Sequence, residues 1–125
     1  MKLRSVRGTH DIFGKEIDKF NRISNIVSKN ANLKEYKEIQ TPIFEFSDLF
    51  AKPLGEHSDV VLKEMYSFED RNNEYLTLRP EYTTPMIRAA ITNNLLNDLP
   101  LKIFGIGPMF RRERPQKGRL SLIHI

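Results

Sequence analysis

In a stretch otherwise dominated by Lys, Asp, Asn and Ser, four apolar residues, Ile17, Phe20, Ile23 and Val27, recur at steps of three and four. That spacing is one face of a helix, and it predicts an amphipathic helix from about Lys15 to Asn32. The period then changes. Tyr36–Gln40 reads as a strand stopped by Thr41-Pro42. Tyr66–Phe68 and Tyr75–Leu78 alternate like strands around the turn residues Asp70-Arg71-Asn72-Asn73, which predicts a hairpin. A second helix has Thr84 as its expected cap and Pro85 in its first turn, with Ile87, Ile91 and Leu95 at i, i+4 and i+8. Leu101–Gly105 reads as a buried strand, Pro108–Arg111 extends toward a polar loop at Arg112–Arg119, and Leu120–Ile125 is its candidate returning partner. This order points to an α+β fold with a mainly antiparallel sheet flanked by helices, and the Phe and Ile positions of these elements are assigned to the core.

Composition narrows the class. At 125 residues the chain fits one small domain or a piece of a larger one. Apolar runs such as Val60–Leu62 fall far short of the ~20 residues a membrane span needs, and the basic start Met1–Arg7 lacks the apolar core of a secretory signal. Without cysteine there is no disulfide scaffold or Cys-type metal site, and a reducing, cytoplasmic setting is expected. His10, His57 and His124 are too far apart for a zinc motif, and His10 and His57 read as ordinary polar positions, so no metal site is expected in the protein itself. Hydrophobic residues make up 39%, below the ~45–50% of complete globular domains, so the core is expected to be thin.

The net charge of +4 is localised. Between Lys102 and Arg119 lie six basic residues (Lys102, Arg111, Arg112, Arg114, Lys117 and Arg119) against one acid, Glu113. That segment carries +5, so the remainder nets −1. Clustered Arg and Lys suit phosphate, the first as a planar fork and the second as a point charge.

Two stretches are more specific than any composition: Leu78-Arg79-Pro80-Glu81-Tyr82-Thr83-Thr84, and Gly107–Arg119 with its Phe110-Arg111-Arg112-Glu113-Arg114 centre. With Arg7-Gly8-Thr9-His10-Asp11 and Glu38–Glu45, they resemble the amino-terminal part of the histidyl-tRNA synthetases, class II aminoacyl-tRNA synthetases. The resemblance runs from about Arg7 to Arg119. Residues 33–45 resemble motif 1 and residues 107–125 motif 2, so residues 1–125 read as a partial class II catalytic core. The resemblance implies ATP-dependent activation of histidine to histidyl-adenylate, then transfer to the 3′ end of tRNA(His). Mg2+ is implied as the companion of ATP, and a homodimer through motif 1 is implied as the assembly.

Roles carry over by motif position. Arg111 matches the arginine bridging the ATP α-phosphate and the substrate carboxylate. Glu113 matches the acceptor of the adenine amino group, and Arg119 a position near the outer phosphates. Arg112, Arg114 and Lys117 match the loop that faces ATP or the tRNA acceptor end. Glu81 matches the carboxylate that binds the histidine ammonium group; Thr83 adds a hydroxyl, and Tyr82 is expected to line the pocket between them.

Several positions depart from the resemblance. Gly14 stands where Pro is frequent, Glu35 where Gly often precedes the tyrosine, and Tyr82 where Gly is common. From Leu120 the chain reads Leu-Ser-Leu-Ile-His-Ile in place of the second motif 2 strand. Only His124 falls in register, and the string resembles translated sequencing adapter, so it is read as non-native. The expectation is a segment truncated within motif 2, inactive and poorly stable by itself. The alternative reading is a non-catalytic, synthetase-like regulatory subunit of ATP phosphoribosyltransferase, against which Arg111, Glu113, Arg119 and Glu81 together argue. A free-standing basic RNA-binding module fits less well, because the basic residues sit in one loop and no aromatic stacking pattern accompanies them.

Overall fold

The helical stripe folds as its spacing predicts. In the computed structural model, which describes residues 2–54 and 64–112, helix α1 spans Lys15–Leu33 with Glu16 and Asp18 in its first turn, where the helix dipole favours acids. Gly14 precedes it at φ 63°, a conformation that the proline frequent at this position in the resemblance could not adopt. At the other end the backbone N–H of Tyr36 donates to Ala31 O (2.9 Å) and that of Glu35 to Asn32 O (3.0 Å). These two bonds form a Schellman stop, and Glu35 occupies its left-handed position at φ 66°. The frequency of glycine there thus has a backbone cause.

After α1 come β1 (Lys37–Glu38), β2 (Phe44–Phe46), α2 (Ser47–Leu54), β3 (Ser67–Glu69), β4 (Tyr75–Leu78), α3 (Thr83–Thr92), a 3-10 turn at Leu95–Asn97 and β5 (Ile103–Phe104). β2, β4 and β3 form an antiparallel sheet in that order, pairing Phe44 with Leu78, Phe46 with Leu76, and Phe68 with Leu76. β1 pairs separately with β5, in parallel, Lys37 opposite Ile103. The predicted hairpin is present, closed by Asp70 N–H to Glu74 O at 2.8 Å and Asn73 N–H to Asp70 O at 3.0 Å, with Asn73 at φ 61°. The α+β reading with a mainly antiparallel sheet holds.

Register divides the three-stranded sheet into two faces, since directly opposed residues share a side. Glu45, Ser67 and Thr77 lie on one face. There the fully buried Thr77 hydroxyl joins those of Ser47 and Ser67, each at 2.7 Å, and Glu45 meets Arg88 of α3 at 2.7 Å. The other face carries Phe44, Phe46, Phe68, Leu76 and Leu78, with the rings of Phe44 and Phe68 edge to face at 6.4 Å.

The core is small: Phe50, Leu76, Tyr82, Ala89 and Ala90, with the buried prolines Pro80 and Pro85. Several core assignments are therefore corrected. Ile23, Phe44, Phe46, Phe68, Ile87 and Ile91 are exposed, and α1 buries none of its residues; on the outer sheet face the central strand's Leu76 is buried while the flanking phenylalanines are exposed. Three further expectations are revised. Helix α2, with Phe50 fully buried, was not foreseen. Helix α3 ends at Thr92, and Asn94 at φ 57° turns the chain before Leu95. Leu101–Gly105 contributes only the short, half-buried β5. No helix among the described residues is long and apolar enough to cross a membrane. Glu113, Arg114, Lys117, Arg119, the segment from Leu120, His57 and His124 lie outside the described residues.

Candidate active site

Residues 79–82 leave β4, the middle strand of its sheet, and lead into α3. The Arg79 N–H donates to Ile43 O at 2.8 Å, and Arg79 O accepts from Phe110 N–H at 2.9 Å. The segment around Phe110 is thereby laid beside the Arg79–Pro80 backbone. One residue on, the Arg111 Nε donates to Pro80 O at 2.9 Å, and the Arg112 N–H donates to Glu64 O at 2.7 Å. The Arg112 guanidinium stands 5.7 Å from the centre of the Tyr66 ring, within cation–π reach.

The three residues after Pro80 differ in exposure: Glu81 is half-buried, Tyr82 buried and Thr83 exposed. Both Glu81 carboxylate oxygens accept from the backbone N–H of Thr84, at 3.2 and 3.1 Å. This corrects the expected cap. Thr84 lies within α3 and its amide is the donor; the side chain satisfying the helix end is Glu81, because acids complement exposed N–H groups at a helix start.

Tyr82, expected to line an amino-acid pocket, is buried, its hydroxyl donating to Ile39 O and accepting from Thr41 N–H, both at 3.4 Å. Gly105 makes room for the ring: a Cβ there would lie 2.8 Å from Tyr82 Cζ. The Arg79 guanidinium covers the same ring at 4.2 Å.

Arg79 and the Arg88–Glu45 pair were not singled out from the sequence. Arg79 is 3% exposed, donating from Nε to Pro108 O (2.9 Å) and from Nη1 to Thr41 O (3.1 Å) and Thr41 Oγ1 (3.2 Å). Its place in the Leu78-Arg79-Pro80 string was the available signal, but arginine is rarely this buried and its acceptors are 38 and 29 residues away.

A family model for the class II tRNA synthetase core domain (G, H, P, S and T) matches residues 66–124, which include the hairpin, Glu81 and Arg111. The chain is 50% identical to the histidine–tRNA ligase of Thermosipho africanus and 52% identical to that of Gluconacetobacter diazotrophicus, each over 122 residues. These matches cover 97% and 98% of this chain and 29% of each relative. Apo histidyl-tRNA synthetase from S. aureus matches the fold with a TM-score of 0.75 at 36% identity, over 88% of this chain and 30% of that one. Residues 66–124 thus match the class II tRNA synthetase core domain, and nearly the whole chain is similar to a part of the histidine–tRNA ligases. An ATP phosphoribosyltransferase regulatory subunit/histidyl-tRNA synthetase from Bacillus halodurans has the same fold at TM-score 0.75 and 20% identity, over 91% of this chain and 29% of that one.

The chain spans about 29% of the length of the curated relatives it matches. Within it, a carboxylate held by a helix-start amide and a guanidinium held on a carbonyl sit on adjoining backbone, Arg111 bonding to the residue before Glu81. Opposite charges so placed can hold the two ends of a zwitterion, or an ammonium and a phosphate. Among the described residues no group of three or more His, Asp or Glu is placed to hold a metal ion.

Proposed function

We propose that this segment belongs to a histidine–tRNA ligase. The observation that carries the reading is the backbone adjacency of Glu81 and Arg111, with Arg111 Nε on Pro80 O at 2.9 Å, in a chain about half identical to histidine–tRNA ligases.

In this reading the histidine ammonium group is held by Glu81 with the Thr83 hydroxyl, and the histidine carboxylate by Arg111. A carboxylate oxygen attacks the ATP α-phosphorus, the bond to the β-phosphate oxygen breaks, and pyrophosphate leaves. Arg111 bridges the reacting carboxylate and the α-phosphate, stabilising charge where it is redistributed in the transition state. Glu113 accepts from the adenine amino group and Arg119 holds outer phosphates; Mg2+ enters as part of the nucleotide substrate. A hydroxyl of the terminal adenosine of tRNA(His) then attacks the histidyl carbonyl and AMP leaves, with Arg112, Arg114 and Lys117 toward the acceptor end. No covalent enzyme intermediate is needed; the side chains position and neutralise. The working protein is a cytoplasmic homodimer paired through motif 1.

The regulatory-subunit alternative is supported by fold alone, at 20% identity, and ranks second. The full-length protein is tested for histidine-dependent ATP–pyrophosphate exchange and for charging of tRNA(His). Robust exchange supports the ligase. A folded protein that performs neither reaction, yet stimulates an ATP phosphoribosyltransferase, moves the assignment to the alternative.

A further inference from the structure

Arg79 is a buried charged side chain with several partners that the proposed chemistry does not use. Its guanidinium donates to three acceptors on two distant segments, Thr41 O and Thr41 Oγ1 after β1 and Pro108 O ahead of Arg111, while lying on the buried Tyr82 ring. Its own backbone continues the same connections, to Ile43 and to Phe110. Gly107 fits closely against it, since a Cβ at Gly107 would collide with Nη2.

We propose that Arg79 is a positioning residue that sets the separation of Glu81 and Arg111. The inference rests on the ligase reading for its assay and on geometry for its content. Three segments must keep register for the site to work: residues 39–43, residues 79–83, which present Glu81 and Thr83, and residues 108–112, which present Arg111. Arg79 bonds the first and third from the second. A guanidinium fork can serve divergent acceptors at once, whereas an ammonium on a flexible stem cannot reproduce the planar geometry. Its burial keeps these bonds out of competition with water, and an unmet donor there would be costly, which holds the arrangement to one geometry. Arg79 thus acts through Arg111 and Glu81 and touches no substrate.

The test uses the full-length protein with Arg79→Lys and, because that variant risks poor folding, Thr41→Val, which deletes one acceptor and keeps side-chain shape. Exchange rates are normalised to active sites counted by the stoichiometric burst of adenylate, so loss of folded protein alone does not move them. For Arg79→Lys the expected result is a fall in kcat per site of about tenfold or more with a raised histidine KM, since small misplacements near reacting groups are amplified. Thr41→Val should shift both parameters in the same direction, by a few-fold. Unchanged per-site kcat and histidine KM in Thr41→Val, or in a folded Arg79→Lys, overturn the positioning role while leaving the ligase reading intact. A folded wild type without histidine-dependent exchange overturns the ligase reading and the inference together.

Discussion

Both carboxylate oxygens of Glu81 lie within hydrogen-bonding distance of a single donor, the Thr84 amide, at 3.2 and 3.1 Å. The carboxylate is therefore held by the start of α3 before any substrate arrives. Glu81→Gln in the full-length protein keeps an amide oxygen for the helix end and removes the negative charge. The expected outcome is a rise in histidine KM of about tenfold or more, with ATP KM little changed, because a charged hydrogen-bond partner contributes ~1.5–3 kcal/mol. Equal changes for both substrates would remove Glu81 from ammonium recognition. Glu81→Ala should add a stability loss of about 0.5–2 kcal/mol from the lost cap, read from the urea midpoint.

Arg111 comes from the other segment, its Nε donating to Pro80 O at 2.9 Å. Arg111→Ala removes the fork assigned to the α-phosphate and the histidine carboxylate, and adenylate formation should fall by about 100-fold or more, in line with the loss of one transition-state donor. Exchange measured at saturating ATP and histidine checks it. Near-normal exchange would withdraw the role from Arg111.

Local patterns carried the legible half of this fold. The α1 stripe, the hairpin turn at Asp70–Asn73 and the start of α3 near Thr84 each depend on neighbours within about ten residues, and each was readable to within a residue or two. What escaped depends on distance along the chain. The parallel pairing of Lys37 with Ile103 has no local signature, and Arg79 looks like a surface arginine until Thr41 and Pro108 are brought beside it. Helix α2 is eight residues with Pro53 inside, too short to show a period. Tyr82 was placed by its position between Glu81 and Thr83, whereas the space above Gly105 decides where its ring goes.

The end of α1 offers a stability test independent of the chemistry. Glu35 occupies the left-handed position of the Schellman stop at φ 66°, which costs a residue with a Cβ roughly 1–2 kcal/mol. Part of that gain is offset by the greater freedom of glycine in the unfolded chain. Glu35→Gly should therefore stabilise the protein by about 0.5–1 kcal/mol, raising the thermal midpoint while leaving exchange kinetics unchanged. A lowered midpoint would contradict the assigned backbone geometry.

Arg88 ties α3 to the sheet. Its Nη2 and Nε contact Glu45 Oε1 at 2.7 and 3.2 Å, and the Glu45 side chain is only 10% exposed. Removing the cation leaves that carboxylate poorly hydrated, so Arg88→Ala should cost about 1–3 kcal/mol. The double variant Arg88→Ala with Glu45→Gln should recover part of this loss, because the orphaned charge is gone as well. Additive losses in urea titrations would show that the pair is not coupled.

The apolar surface bears on what the 125-residue chain does alone. Ile23 is 61% exposed, Phe46 57%, Ile87 55% and Ile91 58%, spread over α1, the outer sheet face and α3. Apolar residues left in water on several elements at once favour association and weaken the native state. The isolated polypeptide should therefore bind a hydrophobic dye strongly and elute as associated species in size-exclusion chromatography. It should also catalyse no histidine-dependent exchange. The full-length protein should show weaker dye binding per mole, as its remaining sequence covers these faces. A dye-silent monomer of 125 residues would refute the instability, and measurable exchange by it would refute the need for the rest of the protein.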